Sequence, residues 1–234
     1  YYGDDNARLL LGALGASALL GSDRWDTQII ECIVANFRTS GVNGFRSGML
    51  LDDDIQANGW QHYYDATTIN LHPHFESWLW ACYLWLYQQC GYEELLTRVE
   101  RGVQLMMEGY PDEWSWTNGI QQERARMILP LAWLYRVSPT EQHRQWLSFM
   151  ADELLRNQVE CGAIREELGN PAKGGFGRTP SNALYGVTEA PLIFDNGDPV
   201  CDMLYTTNFA FVGLYEAAAA TGDPKYWDAV RRMG

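Results

Sequence analysis

The residues from Trp114 to Tyr135 read WSWTNGIQQERARMILPLAWLY, and this stretch decides how the rest of the sequence is interpreted. Its polar side chains are concentrated at one end, and the part from Met127 to Tyr135 is almost continuously apolar. A surface helix keeps its polar residues along one side, whereas this pattern keeps them at one end. We therefore expect a helix that is buried along its length and whose N-terminus opens into a polar, aromatic cavity.

Composition and charge narrow the class of protein. The chain has 234 residues, of which 47% are hydrophobic, so it can bury a sizeable core and is not disordered. Its net charge of −13 argues against nucleic acid and anionic membrane surfaces as partners. No run of about 18 apolar residues is present, so we expect no membrane span. The sequence predicts a soluble protein but does not separate a cytoplasmic from a periplasmic location.

Helical periodicity predicts an all-α protein of eight helices in four antiparallel hairpins. The expected spans are about 4–20, 23–37, 73–90, 92–108, 118–135, 138–157, 202–221 and from 226 onward. Two long segments, about 41–73 and 159–200, are interpreted as loops. Tight turns follow the apolar odd-numbered helices and long loops precede them. Side by side, the odd helices would form an inner layer, with their N-termini and the long loops gathered on one face.

Three segments carry a resemblance to a known superfamily: Tyr2 to Arg8 (YGDDNAR), Pro73 to Trp85 (PHFESWLWACYLW) and Trp116 to Arg126 (WTNGIQQERAR). With the hairpin pattern, they resemble bacterial proteins of the six-hairpin glycosidase superfamily. The resemblance implies an α/α toroid, of which four hairpins are visible where six close the ring. We treat residues 1–234 as one such domain, to which the same polypeptide can add others. It further implies a carbohydrate substrate and no obligatory cofactor.

Hydrolysis of a glycosidic bond uses two carboxyl groups, one protonated and one ionised. The catalytic candidates are acids expected near the inner helix N-termini, Glu123, Asp202 and Asp5, and one acid of the last long loop that could lie over the cavity, Glu189. Polar and aromatic neighbours give the candidates for substrate binding, which are His74, Trp114, Trp116, Asn118, Arg124 and Tyr205.

Each candidate has a simpler interpretation. Asp5 and Asp202 stand where helix N-caps are expected. Glu123 lies inside an apolar helix and needs a partner if buried, and Arg124 or Arg126 would make a structural ion pair with it. Acids of the last long loop, Glu166, Glu167 and Glu189, are expected to be solvated.

Metal binding is not favoured by the sequence. His72-Pro-His74 with Glu76 could suggest a metal site, but the proline breaks helical spacing and no fourth ligand is evident, so we expect no metal. Asp52-Asp53-Asp54 is assigned to a loop, as a solvated or calcium-binding turn.

Two further functions are compatible with the sequence. One is a non-catalytic module that binds glycan or packs against a catalytic neighbour. The other is sugar epimerisation or lyase action, with His74 or His62 as the base and Tyr205 as its partner.

Overall fold

A computed structural model describes residues 2–46, 49–117, 119–167 and 205–234. These residues form helices joined by turns and loops, and the only β-pairing among them is an isolated bridge between Gln158 and Ile164. No helix in the described ranges has the length and hydrophobicity to cross a membrane. The helices are α1 (Gly3–Leu20), α2 (Asp26–Arg38), α3 (Asp52–Tyr64), α4 (Pro73–Cys90), α5 (Glu93–Glu108), α6 (Ile120–Val137), α7 (Glu141–Leu155), α8 (Thr206–Thr221) and α9 (Pro224–Met233).

The chain divides into two compact units. The first consists of residues 1–71 and 75–109, and the second of residues 72–74 and 110–234. The eight helices predicted from periodicity are all present, as α1, α2 and α4–α9. The predicted start of the seventh, at Asp202, lies outside the described residues, which resume at Tyr205.

Helix α3 was not predicted, and the assignment of Asp52-Asp53-Asp54 to a loop is wrong. The three aspartates form the first turn of α3, where carboxylates interact favourably with the positive end of the helix dipole. None of its residues is buried, and Gly59, with φ of 73°, interrupts it with a kink. A helix that buries no face leaves no apolar periodicity in the sequence, which is why the pattern did not reveal it.

The core of the first unit is built from aromatic rings and close backbone contacts. The ring of Phe37 meets that of Tyr83 edge-on at 5.3 Å, and Trp80 donates its indole N–H to the Gly44 carbonyl at 2.8 Å. A side chain on Gly44, whose φ is +80°, would come within 2.1 Å of the Arg98 carbonyl oxygen. Only glycine combines a positive φ with the absence of a side chain that would clash with this carbonyl.

Helix α6 is the centre of the second unit, as the opening stretch predicted. It packs against α7 and α8, and every residue from Ile120 to Ala132 is buried. The helix continues through Pro130 to Val137. Its first two turns therefore bring four consecutive polar residues, Gln121 to Arg124, and then Arg126 into the protein interior. These buried polar side chains need hydrogen-bond or ion-pair partners within the second unit. Their partners define the candidate site.

Candidate functional site

The buried carboxylate of Glu123 is the centre of the candidate site. Its side chain is fully inaccessible to solvent, and Oε1 accepts a hydrogen bond of 3.1 Å from the backbone N–H of Thr117. His72 Nε2 and His74 Nδ1 lie 3.7 and 3.8 Å from the same oxygen. Among the described residues, Oε2 has no hydrogen-bond partner. One oxygen of the carboxylate is therefore hydrogen-bonded to the protein, and the other has no hydrogen-bond partner among the described residues.

The surroundings of Glu123 favour its ionised form. Burial acts to raise the pKa of the carboxyl group, but the attraction of His72, His74 and Arg126 outweighs burial and holds that pKa below its ordinary value. Arg126 is itself fully buried; it donates to the carbonyl of His74 at 3.4 Å, and its guanidinium lies 4.1 Å from the centre of the Phe209 ring. A carboxylate that stays ionised in a buried site can act as a base or a nucleophile.

Arg124 is not the ion-pair partner of Glu123. Its guanidinium donates to Glu167 Oε2 at 2.6 Å and to the Tyr110 hydroxyl at 2.7 Å, and it lies 3.6 Å from Glu153. Burial raises the pKa of Tyr110, so its hydroxyl stays protonated and donates to Glu153 at 2.8 Å. Adjacent positions on a helix point about 100° apart, so Arg124 and Glu123 belong to separate networks.

Glu166 is buried, with 1% of its surface exposed, so the expectation that it is solvated is wrong. Its Oε1 accepts the backbone N–H groups of Gln121 and Glu167, each at 2.9 Å, and its Oε2 accepts the Thr206 hydroxyl at 2.7 Å. Helix α6 has no capping side chain of its own, because its N-cap is Gly119. Glu166 supplies that function from a distant segment and links the starts of α6 and α8.

A polar pocket of about 410 Å³ adjoins this end of α6. Its wall combines guanidinium and carboxylate groups with one amide, and its lining residues are Arg124, Glu153, Arg156, Asn157, Arg165, Glu166 and Glu167. Sugar hydroxyls donate to carboxylates and accept from guanidinium or amide groups, so such a wall can bind a polyhydroxylated ring.

The remaining predicted residues fall in several places. Trp114 and Trp116 are buried, with 0% and 3% of their surfaces exposed, and Trp114 packs edge-on against Tyr110. Tyr205 precedes α8 and its ring lies 5.8 Å from that of Phe209. Asn118, Glu189 and Asp202 lie outside the described residues.

Asp5 does not cap α1. It lies inside the first turn, after an N-cap at Tyr2, and its exposed carboxylate pairs with Arg8. Asp5 belongs to the first unit and Glu123 to the second. That the two acids lie on the same face of the protein therefore stays a prediction. His62, the alternative base, is exposed on α3. Within the ranges the structure describes, no group of three or more His, Cys, Asp or Glu side chains is placed to hold a metal ion.

Comparison with known proteins gives a structural likeness only. No protein-family model matches the chain. No curated protein matches it either.

Two solved structures share the fold. One is the α-1,6-mannanase GH76A of Salegentibacter sp. HEL1_6, with a TM-score of 0.59 and 12% identity. The other is an inactive variant of that enzyme, with two consecutive aspartates changed to asparagine, in complex with α-1,6-mannotriose; its TM-score is 0.58 at 12% identity. Each match covers 100% of this chain and 59% of the other, so the chain spans 59% of the length of these structures. The α/α-toroid fold expected from the sequence is thereby confirmed.

Proposed function

We propose that this chain is a glycoside hydrolase domain in which Glu123 is the ionised carboxylate. The observation that carries the proposal is the state of that side chain: fully buried, with a lowered pKa and one oxygen without a partner among the described residues. A structural ion pair would be expected to satisfy both oxygens. The fold shared with an α-1,6-mannanase supports a carbohydrate as the substrate, although fold alone does not assign a reaction.

The second carboxyl group is proposed from consecutive aspartates. The mannanase variant with two such residues changed is inactive, and this chain has Asp4-Asp5 at the start of α1 and Asp52-Asp53-Asp54 at the start of α3. The aspartate pair of α1 includes Asp5, which is a candidate from the sequence. Asp202 and Glu189 remain candidates from the sequence.

The test is hydrolysis of a panel of oligosaccharides that starts with α-1,6-mannotriose. General acid–base catalysis contributes about 10²- to 10⁴-fold, so Glu123→Gln should lower kcat by at least about 100-fold. The matched control is Glu216→Gln, which replaces a carboxylate that accepts the Trp133 indole N–H at 2.6 Å and Arg136 at 2.8 Å. This control should keep its activity. Undiminished hydrolysis by Glu123→Gln would remove Glu123 from the mechanism. Asp4→Asn and Asp5→Asn test whether the aspartate pair at the start of α1 takes part in the reaction.

A lyase or epimerase is the second candidate, since two imidazoles lie within 4 Å of the Glu123 carboxylate. Either reaction needs a base that removes a carbon-bound proton, and His74 would be that base. Reaction in heavy-oxygen water separates the classes, because only hydrolysis places solvent oxygen in the product. Binding of an oligosaccharide without turnover, unchanged by neutralising each acid, would instead indicate a glycan-binding module.

A further inference from the structure

The polar pocket at the start of α6 has an inner wall of charged groups that already have partners within the protein. Arg124 is 7% exposed, and its guanidinium bonds to the carboxylate of Glu167 and to the Tyr110 hydroxyl. Glu166 is 1% exposed and accepts three hydrogen bonds, two from backbone N–H groups and one from a hydroxyl group. Because these buried groups are bonded to the protein, they hold the wall in place rather than receive a ligand.

Three groups of the outer wall keep bonding capacity that the described residues do not use. Glu167, whose side chain is 41% exposed, is held through Oε2, which accepts from Arg124, Gln121 and Asn157 at 2.6, 3.3 and 3.3 Å. Its Oε1 and the Oδ1 of Asn157 accept no hydrogen bond from a described residue. Arg165 is exposed, and its guanidinium likewise bonds to none of the described side chains. The pocket therefore offers two acceptors and one forked donor to a ligand.

A short hairpin, residues 157–165, fixes the backbone of these groups. The N–H of Arg165 donates to the carbonyl of Asn157 at 2.8 Å, next to the bridge between Gln158 and Ile164. Gly162 lies in the turn with φ of 92°, a conformation that favours glycine. The side chain of Gln158 donates to a carbonyl of α9 at 3.0 Å. Binding groups that are held in position in advance lose less entropy when a ligand arrives.

We propose that Glu167, Asn157 and Arg165 form a subsite for one ring of a neutral sugar. The inference rests on the proposed function and deepens it by naming the class of substrate. Each sugar hydroxyl is both a donor and an acceptor, so neighbouring hydroxyls can donate to Glu167 Oε1 and Asn157 Oδ1 and accept from Arg165.

The size and charge of the pocket favour such a ligand. Its volume of about 410 Å³ falls within the range of small-molecule sites. Its wall contains three guanidinium and three carboxylate groups, so it has no net charge that would attract an acidic sugar. The carboxylate of an acidic sugar would also be repelled by Glu153 and Glu167.

The test replaces Arg165 by methionine and measures binding apart from catalysis. Methionine keeps an unbranched stem and removes every donor of the guanidinium. We expect the affinity for α-1,6-mannotriose, measured by calorimetry in the Glu123→Gln background, to fall by about 10- to 100-fold, because hydrogen bonds from a charged group are the stronger kind. With Glu123 intact, KM should rise by a similar factor and kcat should stay nearly unchanged. The melting temperature should move by less than about 2 °C, because Arg165 is exposed.

The matched control is Arg101→Met. It removes the same charge from an exposed arginine of α5 that also bonds to no described side chain and does not line the pocket. This variant should keep the wild-type affinity and KM. Trigalacturonic acid tests the class of ligand, and the wild-type chain should bind it more weakly than α-1,6-mannotriose.

The possible outcomes separate this inference from the proposed function. Unchanged affinity in Arg165→Met, with Glu123→Gln inactive, would overturn the subsite and leave the hydrolase intact. Tighter binding of trigalacturonic acid, or a loss of affinity that Arg101→Met shares, would also overturn it. A wild-type chain that binds α-1,6-mannotriose through Arg165 but hydrolyses nothing would keep the subsite and overturn the hydrolase. A wild-type chain that binds neither probe would overturn the subsite, whereas hydrolysis of the other sugars of the panel decides the proposed function.

Discussion

At the scale of single residues, Gly119 is required by the space around it rather than by its backbone angles. Its φ of −161° is extended and suits any residue, but a Cβ there would come within 2.3 Å of Glu166 Oε1. Gly119→Ala must displace the buried carboxylate that caps α6, and overpacking of this kind costs about 1–3 kcal/mol. We expect a lower free energy of unfolding by that amount, measured by urea denaturation.

The control for this substitution is Gly12→Ala in α1. A methyl group on Gly12 would have no heavy atom within 4 Å, and the residue lies inside a helix, so alanine should stabilise the protein by about 0.5–1 kcal/mol. The two glycines thus receive predictions of opposite sign. Equal stability of Gly119→Ala and wild type would show that Glu166 moves freely and does not hold the end of α6.

The same residues define what the sequence can and cannot predict about the site. Glu123 was identified because a carboxylate inside an otherwise apolar helix is visible in the sequence pattern itself. His72 directly precedes α4 and His74 lies in its first turn, and the sequence alone does not show that either comes close to Glu123. Glu166 was interpreted as solvated because it belongs to a loop, and only tertiary packing gives it a buried place.

At the scale of the helices, the start of α4 contains a buried carboxyl group whose protonation should affect stability. Burial outweighs the hydrogen bonds from the Arg46 N–H and Asn70, at 3.0 and 3.1 Å, and the attraction of the Arg46 guanidinium, and raises the pKa of Glu76 to about 8. In the unfolded chain this group titrates near its ordinary value of 4.5. Between these two values the folded protein binds a proton that the unfolded chain lacks.

The direction of the pH effect follows from that difference. Stability falls as pH rises from about 4.5 to about 8 and then levels off, because the folded state must give up a proton that it holds more tightly. Glu76→Gln stays neutral and should flatten this part of the curve, with a wild-type loss on the order of a few kcal/mol. Urea denaturation at pH 5 and above pH 8 measures it. Parallel curves for wild type and variant would mean that Glu76 is ionised throughout.

Helices were predictable where they bury an apolar face. The amphipathic and fully apolar patterns predicted eight of the helices. Helix α9 is capped by Asp223, which accepts a hydrogen bond of 2.9 Å from the Lys225 N–H. The cap expected at Asp5 was wrong, because α1 begins after Tyr2 without a capping side chain. Local capping signals are weak when a nearby aspartate can serve equally well within the first turn.

At the scale of the whole molecule, net charge and exposed apolar surface act against each other. The charge of −13 makes copies of the chain repel one another. Helix α1 nevertheless exposes Leu9 and Leu20, at 71% and 68%, and their spacing of three helical turns places them on one face. Exposed apolar faces of this kind promote association.

Magnitudes decide which effect dominates. Burying a leucine contributes about 1.5–3 kcal/mol, and a symmetric pair of chains would bury two from each copy, against an association cost of about 4–15 kcal/mol. The two free energies are of similar size, so screening of the charge repulsion by salt should favour association. We expect reversible self-association by sedimentation at about 1 M salt and a monomer at about 0.01 M. The double change Leu9→Gln and Leu20→Gln keeps the net charge and should abolish it, whereas Met49→Gln, at another exposed apolar residue, should not. Association that is indifferent to salt, or unaffected by the double change, would assign contact between copies to another surface.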